Sequence, residues 1–434
     1  MVLPSEEVLD MSKITECGEI YATPLISGGM VYFGAFDKYF YCLDFKTGQK
    51  IWGEKMNGII ASGAKVCDEV VYFGCFDSYL YAYGAKTGKL LWKFKTGGFV
   101  ASAPEIRDDV IYFGSADTFL YAVSVKTQEL LWKFKTGGRI IGDPLVADNK
   151  IYFGSKDKHF YCIGIDGSLL WKFRTGGSIV TGKAVLDKTK VYFASGDGII
   201  YALTLDGVFV WGFRTGESCY NNPLVHNGIL YCGSRDRYLY ALDAKTGENI
   251  WNFNCGIVMV HKPVVFDEKI CFGSSLIYCL NLNTKEVQWS INLSESESNI
   301  IASVAFSDNR IIFCTHDNLI RCVDKNDGTL FWQAKTNSSE RMKLAGVFSP
   351  VVWDPKMLET LDEKAKELMI KKQEEFEKFE PYTFTEIYRP LGVLEKNLGQ
   401  KEKYIFGDNP SVGAYRDIGA AEIYTRIARN GYRR

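Results

Sequence analysis

"LLWKFKTGG", residues 90–98, returns unchanged at 130–138 and, with one substitution, as "LLWKFRTGG" at 169–177. An active site needs its nucleophile or metal cage once. A nonapeptide rewritten about every forty positions is a structural part. Its tryptophan counts the copies: Trp52, Trp92, Trp132, Trp171, Trp211, Trp251, Trp289 and Trp332, spaced 38 to 43 residues apart. A period in this range marks a solenoid, an array or a propeller.

The third copy, residues 99–138, shows what one unit is. Four short runs rich in Val, Ile, Tyr, Phe and Trp, separated by polar or Gly-containing turns, predict strands over 100–106, 110–115, 119–125 and 130–135. In most copies the turn before the tryptophan carries "KTG" (residues 46–48, 86–88, 245–247), "IDG" (165–167), "LDG" (205–207) or "NDG" (326–328). Glycine there supplies the positive φ of a tight hairpin, and Asp or Thr caps the turn. An aspartate recurs in the middle turn at Asp37, Asp77, Asp117, Asp157, Asp197, Asp236 and Asp317. A residue needed in nearly every turn reads as a backbone-bonding turn residue rather than as a metal ligand.

A four-stranded antiparallel unit leaves an apolar face on each side, and stacking units radially covers both while closing the ring removes the ends. The expected fold is all-β: an eight-bladed β-propeller of four-stranded antiparallel blades over residues 11–337, each tryptophan on an outermost strand filling the gap to the next blade. Residues 338–353 read as a strand-like connector at the closure, with Pro350 aligning to Pro104. The segment before Tyr21 and the strand around Val351 compete for the seam. Residues 354–434 form a helical and irregular extension: Asp354 and Pro355 open a helix to Phe379, whose stripe of Met357, Leu361, Ala365, Leu368, Phe376 and Phe379 must dock on something.

Charge excludes little and directs little. The chain has 51 basic and 52 acidic residues in 434, so no global field draws nucleic acid or an anionic membrane. No run approaches eighteen apolar residues, and "MVLPSEEVLDMSKITECG" lacks a basic stretch followed by an apolar one, which places the chain in the cytoplasm. Twelve cysteines include no C-x-x-C. Cys42, Cys162, Cys279 and Cys322 stand where other copies have Ala82, Ala122, Ala202 and Ala241, so they read as small core fillers. The basic ending, with Arg426, Arg429, Arg433 and Arg434, suits an acidic protein partner or RNA.

The copy "ALDAKTGENIW", residues 241–251, follows A-x-D-x-x-T-G-x-x-x-W; "CLDFKTGQKIW" (42–52) departs only at Cys42 and "AYGAKTGKLLW" (82–92) only at Gly84. The pattern resembles the tryptophan-docking repeat of the pyrroloquinoline quinone (PQQ)-type propellers, over roughly residues 11–337. WD40 propellers have aspartate after the tryptophan; here Lys, Gly, Asn, Ser or Gln follows. Dehydrogenase members of the resembled family carry long insertions, a calcium site and often a vicinal disulfide, for which this chain has neither the spacing nor a Cys-Cys pair. It is more similar to the compact non-enzymatic members, such as the propeller subunit of the outer-membrane β-barrel assembly machinery. The resemblance implies a monomeric binding or assembly scaffold without catalysis or cofactor; the alternative is a PQQ-dependent dehydrogenase using PQQ and calcium.

Propellers bind at the axial funnel. Aligned first strands place Ala22, Ser62, Ser102, Gly142, Thr181, Asn221, His261 and Ser303 in one ring, mostly small or hydroxylated, as suits a narrow polar channel. "ESCYNNP" (217–223), "IVMVHKP" (257–263) and "GGRIIGDP" (137–144) break that pattern. They nominate Arg139, Tyr220, Asn221 and His261 as contacts for a protein segment or a small anionic ligand. The other histidines form no metal-ligand spacing.

Overall fold

The computed structural model describes residues 20, 22–180, 182–256, 262–273, 276–292, 303–315 and 318–336. These residues form thirty-two strands in eight separate four-stranded sheets, with no helix among them. Each sheet is a meander of four consecutive strands: residues 25–55, 64–95, 105–135, 145–174, 185–214, 224–254, 264–292 and 303–335 make blades 1 to 8. The helix expected from Asp354 to Phe379, the connector at 338–353 and the basic terminus lie outside the described residues.

Eight apolar clusters occupy the interfaces between neighbouring blades. Between blades 3 and 4, for example, Tyr112, Leu120, Ala122 and Trp132 meet Ile151, Phe153, Tyr161 and Ile163. The second and third strands of every blade have a neighbour on both faces, so they read as unbroken apolar runs such as Ile111–Gly114 rather than as alternating ones. Cys42, Cys162, Cys279 and Cys322 are fully buried within these clusters, as fillers should be.

The tryptophan docks each blade on the next. The Trp132 indole Nε1 donates to the Ile165 carbonyl at 2.9 Å, and the same bond joins Trp52 to Ala85, Trp171 to Leu205, Trp211 to Ala244, Trp289 to Lys325 and Trp332 to Phe45. A β-bulge precedes the tryptophan in every fourth strand; in blade 3, Ala122 pairs with Trp132 and Val123 with Leu130, leaving Leu131 as the extra residue. The bulge adds local twist. The extra residue then faces solvent: Ile51, Leu91, Leu131, Leu170, Val210, Ile250 and Phe331 are all exposed.

The hairpin glycine has two reasons to be glycine. Gly88 takes φ +65°, as the turn reading required, and a Cβ there would lie 2.7 Å from Trp52 Cγ of the preceding blade. The turn therefore forms a flat lid over the neighbour's indole.

The recurring aspartate ties turns and blades together. Asp117 Oδ1 accepts from its own Phe119 N at 3.1 Å, while Oδ2 accepts from Tyr121 Oη at 2.7 Å and from Gly97 N of the preceding blade's terminal loop at 2.7 Å. Asp157, Asp197 and Asp236 make the same three bonds. Burial, and then the bonded carboxylate, push the Tyr121 hydroxyl far above its ordinary pKa, so it stays a donor.

Blade 8 closes on blade 1 without exchanging a strand. Trp332 Nε1 reaches Phe45 O at 3.0 Å, Arg310 Nη1 reaches Lys46 O at 2.9 Å, and Phe33, Leu43 and Phe45 pack on Ile312, Ile320 and Cys322. Of the two segments expected to compete for the seam, Ile20 of the first is buried in this cluster; the region of Val351 lies outside the described residues.

The first strand is shorter than the sequence implied. In blade 3 it covers Glu105–Arg107 instead of 100–106. Residues 96–104 instead run across the ring face: Val100 N bonds to Cys75 O of blade 2, and Phe99 O accepts from Ala116 N of blade 3. Their backbone groups are satisfied by two turns rather than by a ladder.

Candidate axial site

Inner strands of successive blades pack on one another, so the residues at their starts surround the axis. Register shows which of them share a level. Leu145 pairs with Tyr152 and Val185 with Tyr192, which aligns Gly182, not Thr181, with Gly142. Likewise Val304↔Phe313 matches Ala64↔Phe73, so Ser303 aligns with Gly63 rather than with Ser62. A one-residue insertion in the loop entering blade 5 hid the first of these shifts.

The expected ring of hydroxyls is a structural ring. Ser62 Oγ accepts from Gly74 N at 2.8 Å and Ser102 Oγ from Gly114 N at 3.1 Å, each capping the second strand of its own blade, and both serines are buried. The positions one and three residues after each serine equivalent are the ones that bring charge toward the axis. These are Gly63 and Lys65 in blade 2, Ala103 and Glu105 in blade 3, Asp143 and Leu145 in blade 4, Lys183 and Val185 in blade 5, and Lys262 and Val264 in blade 7.

Charges from five blades meet there. Lys65 Nζ pairs with Glu105 Oε1 at 2.7 Å, and Lys183, two blades away from Glu105, pairs with its other oxygen. A bond that skips blade 4 shows how narrow the axis is. Asp143 Oδ1 accepts from Ala103 N at 2.7 Å, and Asn222 Oδ1 from Lys183 N at 2.7 Å. Burial raises the Glu105 carboxyl, but the Lys183 and Lys65 ammoniums outweigh it and hold the group below its ordinary value. Asp143 goes the other way: burial dominates, and its pKa rises. Lys262 touches solvent yet is surrounded by protein; desolvation first, then the charge of Lys183, lowers its pKa.

The four nominated contacts separate. Arg139 is exposed, its guanidinium 5.9 Å above the Phe99 ring, and Phe99 stacks on Phe76 at 4.4 Å. Tyr220 is 6% exposed, packed with Ile141, Val180, Phe99 and Ala101 in an apolar cluster on the loop face. Asn221 is 1% exposed. Both side chains are buried, so neither is offered to solvent. His261 lies outside the described residues. Lys65, Glu105, Asp143, Lys183 and Lys262 form the axial cluster; the first-strand alignment crossed them, but only three-dimensional register shows that they converge.

The described residues offer no carboxylate cluster for a calcium ion. No group of three His, Cys, Asp or Glu among them could hold a metal. The crevice beside Ile291, Arg321 and Gly328 and the one beside Lys183, Ala184 and Asn221 have room for no more than about one water molecule. Buried thiols such as Cys75 and Cys255 are pushed far above the ordinary cysteine range by desolvation, which makes them inert. No helix among the described residues is long and apolar enough to cross a membrane.

Comparison with known proteins agrees with this architecture. Residues 15–271 match the family described as "Beta-alanine-activating enzyme, beta-propeller", and residues 257–360 match "Outer membrane protein assembly factor BamB". The first match spans more than half of the sequence: the chain belongs to that β-propeller family, within the PQQ-like propellers. The quinoprotein ethanol dehydrogenase of Pseudomonas aeruginosa is 31% identical over 77 residues, 15% of this chain, and the match spans 12% of that protein's length. Among solved structures, BamB from Moraxella catarrhalis superposes with a TM-score of 0.61 at 16% identity, over 69% of this chain and 95% of its own. The computationally designed Ika8 protein superposes at 0.60 with 17% identity, over 70% and 95%. At these identities the structural likeness concerns the fold.

Proposed function

We propose that this member of the propeller family is a binding or assembly scaffold, without catalysis or cofactor of its own, that holds a protein segment against its axial face. One observation carries the reading. Blades 3 to 6 repeat their tryptophans and aspartate clasps, whereas the residues at one level of the axis, Gly63, Ala103, Asp143, Lys183, Asn222 and Lys262, differ from blade to blade. A symmetric frame with an asymmetric centre suits recognition of one extended, unsymmetric partner.

Arg139, stacked on Phe99 beside Phe76, supplies an exposed cation on an aromatic platform at the rim, a combination common at the energetic centre of protein interfaces. Tyr220 and Asn221 support that rim from beneath. The name of the BamB family model and of its solved relative is that of an assembly factor, and the name of the propeller family is that of one part of an activating enzyme; both accord with a ring that binds while chemistry occurs elsewhere.

The test is site-directed photocrosslinking in extract, with the probe at Arg139 and, as a control, at Lys93 on the outer strand. Crosslinks to a defined protein from position 139 alone are expected. Equal labelling from both positions overturns the axial-face reading. Saturable binding of PQQ and Ca²⁺ with dye-linked alcohol oxidation overturns the non-catalytic one.

A further inference from the structure

Three ammonium groups and two carboxylates converge on the axis, and the pairing is uneven. Glu105 is shared by Lys65 and Lys183, one oxygen each. Asp143 spends Oδ1 on the Ala103 amide. Lys262 has no carboxylate within ion-pair distance among the described residues, and strand register sets it at the same level of the axis as Lys183. A cation ringed by protein but left unpaired is costly, and a channel with low-dielectric walls focuses its field on whatever enters. Lys262 is nevertheless exposed to solvent.

We propose that the axial channel binds a small oxyanion of the phosphate or carboxylate class, seated between the ammonium groups of Lys183 and Lys262. The two lysines come from blades 5 and 7, with Asn222 of blade 6 between them. Asn222 Oδ1 is committed to Lys183 N at 2.7 Å, which fixes the backbone that carries Lys183 and leaves the Asn222 amide nitrogen as a further donor at the same level. Two charged donors and an amide on three successive blades match the several acceptor lone pairs of an oxyanion. Lys183 keeps its bond to Glu105, so the anion neutralises the excess charge rather than replacing an existing partner. The inference stands apart from the protein-partner reading: either can fail alone.

The experiment titrates inorganic phosphate and, separately, acetate into the full chain at pH 7.5 against sodium chloride of matched ionic strength, reading melting temperature and heat of binding. Saturable stabilisation beyond chloride by at least one of the two is expected, weakened about tenfold or more in Lys262→Met and retained in Lys262→Arg, since one charge-assisted contact is lost in the first and kept in the second. Responses that merely track ionic strength, or that are unchanged in Lys262→Met, overturn the proposal. Should Lys262→Met fail to fold, the lysine ammonium resonances of the unaltered protein decide: phosphate or acetate must shift those of Lys183 and Lys262 more than that of Lys93 on the outer rim.

Discussion

The junctions entering blades 3 to 6 and those around blades 7 and 8 solve one packing problem with different bonds. At the former, an aspartate reaches back to a loop amide of the preceding blade: Asp117 to Gly97, Asp157 to Gly137, Asp197 to Gly176 and Asp236 to Gly216, at 2.6–2.7 Å. Blade 7 has no such residue, since only five positions separate Gly273 from Tyr278 where seven separate Gly154 from Tyr161. Its hairpin also lacks the glycine: Lys285 holds φ +66° and lays its ammonium 5.3 Å from the Trp251 ring, whose Nε1 finds no acceptor among the described residues. In blade 8 the clasp tyrosine is replaced by the buried Arg321, which donates to Thr315 Oγ1 at 2.6 Å.

The difference shows that apolar interdigitation is the common requirement and that the polar clasp is a reinforcement. Phe272 and Tyr278 still meet Phe253 of blade 6 edge-on at 5.7 and 5.2 Å, so the blade 6–7 interface is filled although its hydrogen bonds are fewer. Blade 7 also brings to the axis Lys262, which has no ion pair among the described residues. Departure from the repeat at its periphery and at its centre occurs in the same blade.

The largest effects test this contrast at the tryptophans. Trp132→Ala removes a docked ring and its 2.9 Å bond to Ile165 and is expected to cost about 3–5 kcal/mol in urea unfolding. Trp251→Ala, whose indole makes no hydrogen bond among the described residues, should cost about 1 kcal/mol less. Equal losses at both sites would mean that the bond contributes nothing. Next, Asp117→Ala strands two backbone amides and the Tyr121 hydroxyl. A loss of about 2 kcal/mol is expected, with faster amide exchange at Gly97; an unchanged Gly97 would show that the clasp does not join the blades.

At the axis, Glu105→Gln leaves Lys65 and Lys183 without their shared carboxylate, for a loss of about 1–2 kcal/mol near neutral pH. The sign with pH follows from a folded pKa held below the ordinary 4.5. The stabilisation is present above that value and disappears as pH falls through the lowered one, so wild type and Glu105→Gln should converge in acid. A gap that persists to low pH would assign the loss to packing. The smallest effect is expected at the rim: Leu91→Ser, at an exposed bulge position, should change stability by less than about 0.5 kcal/mol. A loss comparable to that of Asp117→Ala would mean that the bulge residue packs on something.

Trp132, Gly88 and Asp117 were legible in the sequence because each performs a local task that recurs, and recurrence is visible in one chain. Part of what each does was not. The Gly88 Cβ position is blocked by an indole of another blade, and the second oxygen of Asp117 serves an amide twenty residues earlier. Tyr220 and Asn221 stood out by composition, yet the burial of both depends on where the loop turns. Lys65, Glu105 and Lys183 carry no local signature at all, and 78 residues separate the latter two.

The sequence by itself determined the number of blades, their strand order and the docking of each on the next, because period, turn chemistry and apolar runs act over forty residues or fewer. Only the tertiary structure decided which residues reach the axis. Closing the ring brings the starts of the inner strands together across blades, and a one-residue shift in a single loop is enough to exchange Thr181 for Gly182 at the level where Lys183 meets Glu105.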